Sequence, residues 1–193
     1  MNYTLYGSLP SPFVRRIRML MEHIPFEFKE INIYEKPGSE ILKKINPINQ
    51  IPVLVHGEKT IWDSRIIFNY LNKKHQFETM DWEDENRLTA IDGALNAGVA
   101  LLLMKRSNID INQDFMIVNR HKERIESILD YLKPYIENKA MKDWNFNIMS
   151  IYSFLEWGLF REILNLSDRP EYQKFIESHI NRPIVKLTEI PKV

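Results

Sequence analysis

Apolar and polar residues follow two different periods in the first 75 residues of the chain. Short runs with β-rich composition or strand-like alternation are separated by runs with helical spacing. The predicted strands are Tyr3–Tyr6, Phe26–Ile33, Val53–Val55 and Lys59–Trp62, and the predicted helices open at Ser11, Ser39 and Arg65. The order β-α-β-α-β-β-α predicts an α/β thioredoxin-like domain, in which helices connect parallel strands and a hairpin closes the sheet.

Turn and cap residues support these boundaries. Ser11 precedes a helical run and is a favoured N-cap residue. Pro52 cannot donate a hydrogen bond to a neighbouring strand, so it belongs at the start of the strand that follows it. Asp63 and Ser64 supply an N-cap for the helical run Arg65–Lys74. Three features therefore lie close together in the sequence: a proline at the start of a strand, a tight hairpin, and a helix N-terminus suited to binding an anion. This combination indicates a binding site.

The spacing of apolar residues changes after residue 75, and in the rest of the chain it predicts helices. The pattern becomes more polar between Asn72 and Glu83, and residues 76–82 are the predicted linker between a first domain of residues 1–75 and an all-helical domain of residues 83–193. The predicted helices of the second domain are Glu83–Lys105, Asp114–Asn138, Phe146–Leu164 and one that opens at Arg169-Pro170. Pro134 predicts a kink or an early end in the second of them.

Composition narrows the function classes. Lysine plus arginine equals aspartate plus glutamate at 26 each, so no basic field favours binding of nucleic acid. The chain has no cysteine, which excludes disulfides, zinc-thiolate sites and a cysteine nucleophile. Its five histidines lack metal-ligand spacing, so no metal site is predicted.

The sequence also bears on membrane insertion and on cellular location. No apolar run approaches 18 residues, so we expect no membrane span. No basic segment followed by an apolar run is visible at the N-terminus, and we expect a cytoplasmic protein.

Motifs in both halves resemble those of the glutathione transferase family. Asn46–Leu54 (Asn-Pro-Ile-Asn-Gln-Ile-Pro-Val-Leu), followed by Asp63-Ser64, is similar to the family pattern NPxxxxPxL with a later acidic residue and serine. Residues 11–18 (Ser-Pro-Phe-Val-Arg-Arg-Ile-Arg) are similar to the start of many bacterial members. Asp92–Gly98 is similar to a DGxxDAG run in one bacterial branch, and Asn181–Pro191 is similar to the family's RPSxxxTxP-type ending. The resemblance implies the glutathione transferase fold, a thioredoxin-like domain followed by a helical domain.

The resemblance also implies a site. In that family the proline at the position of Pro52 follows a cis peptide bond, which turns its neighbour's backbone towards the ligand. The implied glutathione-binding residues are Phe13, Gln50, Ile51, Pro52, Asp63 and Ser64, and the implied catalytic residue is Ser11. For Gln50, a side chain that only faces solvent is the alternative. Asp63 suits the ammonium group of the γ-glutamyl end and Ser64 suits its carboxylate.

The resemblance further implies partners. These are glutathione as co-substrate, a small apolar electrophile and a second copy of the chain in a twofold dimer. No further cofactor is expected, and neither nucleic acid nor a membrane is an expected partner.

Ser11 is a candidate for activating the thiol of glutathione. Only the thiolate form of a thiol reacts; the pKa of a free thiol is ~8.5, and a helix N-terminus lowers this pKa. Ser11 can donate to the sulfur from such a position, but serine there can also serve only as an N-cap. Tyr6 and Ser8 are rival donors; we interpret Tyr6 as a tyrosine that packs on the core and Ser8 as a turn residue. The cluster of Arg15, Arg16 and Arg18 is interpreted as a solvated helix face, with support of the active-site turn as the alternative for Arg15.

One departure from the family pattern concerns folding. The capping box of the family's last domain, Ser or Thr followed three residues later by Asp, becomes Asn145-Phe146-Asn147-Ile148. This keeps a competent cap and loses its carboxylate partner. Two outcomes are compatible with this change: Asn147 substitutes for the carboxylate, or the helix starts less firmly.

Two functions from different classes are compatible with these motifs. The first is a glutathione transferase, or a related isomerase or peroxidase. The alternative is a non-catalytic regulator of the same fold, of the stringent-starvation type, that binds RNA polymerase. Ser11-Pro12-Phe13 and Gln50 favour the enzyme because they retain glutathione-site chemistry.

Overall fold

The computed structural model describes residues 2–138 and 143–191, and these form two compact units. The first unit comprises Met1–Thr79 together with Arg182–Val193, and the second comprises Met80–Asn181. In chain order the elements are β1 Tyr3–Gly7, α1 Pro12–Leu20, β2 Phe26–Glu30, α2 Lys36–Ile45, β3 Val53–His56, β4 Lys59–Trp62, α3 Ser64–His75, α4 Trp82–Arg106, α5 Met116–Asn138, α6 Phe146–Phe160, α7 Pro170–His179 and α8 Pro183–Leu187. The element order predicted for the first domain is confirmed.

The first unit contains a four-stranded mixed sheet in the order β2-β1-β3-β4. Strand β1 pairs parallel to β2 and antiparallel to β3, and β3 forms the antiparallel hairpin with β4. Along β1 the buried residues Tyr3, Leu5 and Gly7 alternate with half-buried ones, which is the period of a strand between two layers. This architecture is the thioredoxin-like arrangement that the sequence predicts.

The connection between β2 and α2 differs from the prediction. The strand ends at Glu30 instead of Ile33, and the helix begins at Lys36 instead of Ser39. Pro37 is tolerated in a first helical turn, so it does not delay the helix. Gly38 lies against the backbone of Asn32, where a Cβ atom would be 2.1 Å from the carbonyl oxygen. Glycine therefore allows this close approach.

The predicted solvated arginine face of α1 is wrong for two of its three residues. Arg15 and Arg16 are each 1% exposed. The Arg15 side chain donates to the Val185 carbonyl at 3.4 Å and to Thr188 Oγ1 at 3.5 Å. Arg18 donates to the Leu187 carbonyl at 3.2 Å. Burial lowers the pKa of Arg18, nearby Arg15 adds to this, and Glu30 opposes it.

These bonds explain why the chain's last segment groups with the first unit. The last carbonyl groups of α8 carry the negative end of its dipole, and the guanidinium groups of Arg15 and Arg18 donate to two of them, those of Val185 and Leu187. The sequence predicts one helical domain over residues 83–193, whereas the structure groups the segment from Arg182 onwards with the first unit.

The second unit is built from α4, α5, α6 and α7. A reciprocal capping box between Asp81 and Asp84 starts α4. Helix α5 continues through Pro134 to Asn138, so the proline does not end it early. Helix α6 ends at Phe160 instead of Leu164, because Leu164 folds back over Gly158. A Cβ atom on that glycine would lie 2.4 Å from the Leu164 side chain.

The start of α6 keeps the predicted cap. Asn145 Oδ1 accepts the amide of Ile148 at 2.9 Å. Asn147 does not complete a capping box; its side-chain amide donates to the Asp84 carbonyl at 3.2 Å. It therefore joins α6 to α4 within the second unit.

Helix α4 is the one described helix that has the length and composition of a membrane span. Its most apolar 18-residue window has a mean hydropathy of 1.4, and 39% of that window is buried inside the structure. Core helices of soluble proteins have the same properties, so this finding is weak evidence for a membrane.

We predict that Arg15→Met lowers the free energy of unfolding of the first unit by about 1–3 kcal/mol, because the Val185 carbonyl and Thr188 Oγ1 each lose one buried hydrogen bond from a charged donor. The matched control is Lys186→Met, which removes an exposed cation from α8 and should change the same quantity by less than about 0.5 kcal/mol. Urea unfolding of both variants measures the difference. Equal effects would contradict a structural role for Arg15.

Candidate functional site

Ser11 lies at the start of α1, directly after the turn that leaves β1. Its Oγ accepts the backbone amide of Val14 at 3.3 Å, and its own amide donates to the Ser8 carbonyl at 3.2 Å. Gly7 allows β1 to end close to α1, because a Cβ atom there would be 2.6 Å from the Val14 side chain. The half-buried Ser11 hydroxyl is thus an N-cap that still has its own proton to donate.

Asn46 holds the loop that leads into β3. This residue is 1% exposed; its side-chain amide donates to the Gln50 carbonyl at 2.7 Å, and its side-chain oxygen accepts the Ile48 amide at 3.0 Å. The Ile51–Pro52 peptide bond that follows is cis, as the resemblance implies. Gln50 is exposed and Ile51 is half-buried, so both are accessible beside the start of β3.

Asp63 caps α3 and is exposed. One carboxylate oxygen accepts the amides of Arg65 at 2.9 Å and Ile66 at 3.1 Å. The backbone of Asp63 has a φ of 70°, a conformation that is uncommon for a residue other than glycine. Such conformations occur at sites where the surrounding structure holds them, and here β4 and α3 fix both sides of the residue.

Ser64, the first residue of α3, is almost fully buried. It is 1% exposed, and its Oγ accepts two bonds from the equally buried Arg16, from Nε at 3.2 Å and from Nη2 at 2.6 Å. The Arg16 guanidinium also lies 5.3 Å from the centroid of the Phe13 ring. Arg16 therefore connects two of the predicted site residues, one on α1 and one on α3.

Tyr6 packs where the sequence interpretation placed it, on the core. It lies against a buried cluster of Ile31, Leu42 and Val53, and Lys29 Nζ is 5.7 Å from its ring centroid. The cluster includes α2, whereas Ser11 begins α1. The Tyr6 ring therefore packs on the core beside α2, while the start of α1 carries the Ser11 hydroxyl.

Sequence reasoning missed two residues that organise the site, Arg16 and Asn46. Both residues lie inside the motifs that carry the family resemblance, so their positions could have indicated a role in the site. Their burial could not be predicted from the sequence, because arginine and asparagine are usually exposed. Among the residues that the structure describes, no three side chains of His, Asp or Glu form a group that could hold a metal ion.

Comparison with known proteins finds similarity to one family in the first domain and over most of the chain. Residues 1–73 match the family model for the glutathione S-transferase N-terminal domain. The Escherichia coli (strain K12) protein named uncharacterized GST-like protein YibF is 29% identical, and the match covers 97% of this chain and 98% of that protein. Glutathione S-transferase U6 of Arabidopsis thaliana is also 29% identical, over 90% of this chain and 82% of the relative.

Solved structures share the fold over the whole chain. A glutathione transferase family member from Pseudomonas fluorescens with bound glutathione has a TM-score of 0.84 at 20% identity, covering 99% of this chain and 100% of the other. A glutathione S-transferase from Methylobacterium radiotolerans in complex with glutathione sulfonate has a TM-score of 0.85 at 18% identity, covering 100% and 96%. The predicted fold, a thioredoxin-like domain followed by a helical domain, is confirmed.

We predict that Asn46→Asp destabilises the first unit by about 1–3 kcal/mol, because a carboxylate keeps the acceptor for Ile48 and loses the donor to the Gln50 carbonyl. The control Asn69→Asp makes the same chemical change at an exposed position of α3. Urea unfolding compares the two. If both variants lose the same stability, the side chain of Asn46 does not hold this loop.

Proposed function

We propose that this chain, whose first 73 residues match the glutathione S-transferase N-terminal domain, binds glutathione and stabilises its thiolate for attack on a small apolar electrophile. The observation that carries the proposal is the Ser11 hydroxyl at the start of α1, in a domain where Arg16 joins that helix to Ser64. Relatives that are named glutathione transferases, and similar structures with bound glutathione, support the same ligand.

Ser11 is the proposed thiolate-stabilising residue. Its Oγ accepts the Val14 amide, so the hydroxyl proton is available to a sulfur anion. The first-turn amides of α1 carry the positive end of the helix dipole, which also favours an anion. Both effects lower the pKa of a bound thiol and raise the fraction of reactive thiolate at neutral pH.

The remaining predicted residues would hold the tripeptide. The exposed carboxylate of Asp63 is suited to the γ-glutamyl ammonium group, and Ser64 at the first turn of α3 is suited to the carboxylate. The backbone of Ile51, before Pro52, would pair with the cysteinyl part as a strand does. Gln50 and Phe13 complete the proposed set, the first from the loop before β3 and the second from α1.

Transferase activity is proposed over binding alone because a donor that can stabilise a thiolate is retained. The alternative, a non-catalytic regulator that binds RNA polymerase, gains no support over the enzyme from the comparisons. We propose a cytoplasmic enzyme that needs no cofactor beyond glutathione as co-substrate and has neither nucleic acid nor a membrane as a partner. Turnover of electrophiles would serve detoxification.

We predict that Ser11→Ala raises the pKa of the bound thiol and lowers conjugation rates about tenfold to a hundredfold, since one hydrogen bond to a charged group is lost. Glutathione affinity should change little. Because the bound thiol's pKa rises, the pH–rate profile should move to higher pH, and alkaline buffer should restore part of the activity. Ultraviolet titration of the thiolate in the glutathione complex measures the shift directly.

Tyr6→Phe is the control for this experiment, because it removes the rival hydroxyl and leaves the ring in its packing. It should leave the titration unchanged. A titration that moves only in Tyr6→Phe would assign activation to the tyrosine. A wild-type chain that neither binds glutathione nor forms its thiolate would favour the non-catalytic alternative.

We also predict a twofold dimer. Within the first unit, Trp62 on β4 and Ile66 on α3 are 37% and 53% exposed, and apolar side chains of this size favour burial. Sedimentation at micromolar concentration should give about twice the chain mass of 23.1 kDa. Ile66→Glu should shift the equilibrium towards the monomer, whereas Asn69→Glu, an exposed change on the same helix, should not. A wild-type monomer would contradict the prediction.

A further inference from the structure

The contact between Arg16 and Ser64 is a buried polar pair that joins α1 to α3. Each residue is 1% exposed, and Ser64 Oγ accepts Nε at 3.2 Å and Nη2 at 2.6 Å. A serine hydroxyl has one proton to donate and two lone pairs that accept. The two guanidinium N–H groups therefore fill the acceptor capacity of the hydroxyl and leave its proton for another acceptor.

Within residues 2–138 and 143–191, the Ser64 hydroxyl is recorded only as an acceptor. Its proton thus has no acceptor in the described part of the chain, although the residue is almost fully buried. Buried polar groups in folded proteins nearly always have a hydrogen-bond partner. A buried donor at the first turn of α3, where the helix dipole is positive, is suited to an anionic ligand group.

We propose that Arg16 is a positioning residue that fixes the Ser64 hydroxyl so that its proton is donated to the α-carboxylate of the γ-glutamyl end of glutathione. The inference rests on the proposed function and adds the residue that prepares its carboxylate contact. Two bonds from one planar guanidinium set the rotation of the hydroxyl, and a bond to a cation polarises the O–H group. The Phe13 ring, 5.3 Å from the guanidinium, packs beside this pair.

The experiment compares two ligands on one set of variants by calorimetric titration. The ligands are glutathione and 4-aminobutanoyl-cysteinyl-glycine, which lacks only the α-carboxylate of the γ-glutamyl end. Arg16→Met should weaken glutathione binding about tenfold to a hundredfold and binding of the analogue by less than about threefold, because the lost bond is to a carboxylate.

Arg15→Met is the matched control, because Arg15 is equally buried on the same helix and its described bonds go to α8. It should change the affinities for the two ligands by the same factor. Thermal unfolding of each variant confirms that the titrated protein is folded. If Arg16→Met does not fold, Arg16→Lys decides, since a point donor should still reduce the preference for glutathione over the analogue.

Ser64→Ala closes the cycle. It should lose the same preference for glutathione, and the variant with both changes should bind no worse than Ser64→Ala alone, because the two residues act through one bond. Multiplicative losses in the double variant, or equal losses for both ligands in Arg16→Met, would overturn the inference. A wild-type chain that binds neither ligand would instead overturn the proposed function.

Discussion

The candidate site depends on the N-termini of α1 and α3, and the hydrogen bonds between Arg16 and Ser64 connect these two helices. Ser11 begins α1 and Ser64 begins α3, and the guanidinium of one helix holds the hydroxyl of the other. Helix N-termini favour anions because their first amides lack partners within the helix. A ligand with both a thiolate and a carboxylate matches two such starts held in one unit.

Burial of two adjacent arginines on a short helix requires partners for both. Arg16 finds Ser64, and Arg15 finds the carbonyl end of α8. A buried guanidinium without such bonds would be strongly destabilising, so each partner is part of the structural requirement of α1. The C-terminal segment therefore contributes to the domain that carries the site, although it is separated from that domain in sequence by the whole second unit.

Much of the fold followed from local signals. Alternation in β1, the hairpin of β3 and β4, and the caps at Ser11, Asp63 and Asn145 depend on neighbours in sequence, and the structure has them. The errors share a different cause. The end of α6 depends on Leu164 meeting Gly158, and the burial of Arg15 depends on α8, which lies about 170 residues away in sequence.

In the candidate site, too, some features could be predicted from the sequence and others depend on tertiary contacts. Its residue types and spacing were visible in the motifs, and the cis bond before Pro52 followed from the resemblance. The roles of Arg16 and Asn46 could not be predicted from the sequence. Arg16 donates to Ser64 in a tertiary contact and Asn46 donates to the Gln50 carbonyl in a loop contact, and neither contact follows from the spacing of apolar residues.

We propose that glutathione binds with its sulfur at Ser11 and its γ-glutamyl end at the start of α3. A crystal structure of the chain with glutathione is the decisive experiment. We expect the sulfur within hydrogen-bond distance of Ser11 Oγ, and a carboxylate oxygen of the γ-glutamyl end within hydrogen-bond distance of Ser64 Oγ. A ligand whose sulfur lies nearest Tyr6, or whose γ-glutamyl end is remote from α3, would refute this binding mode.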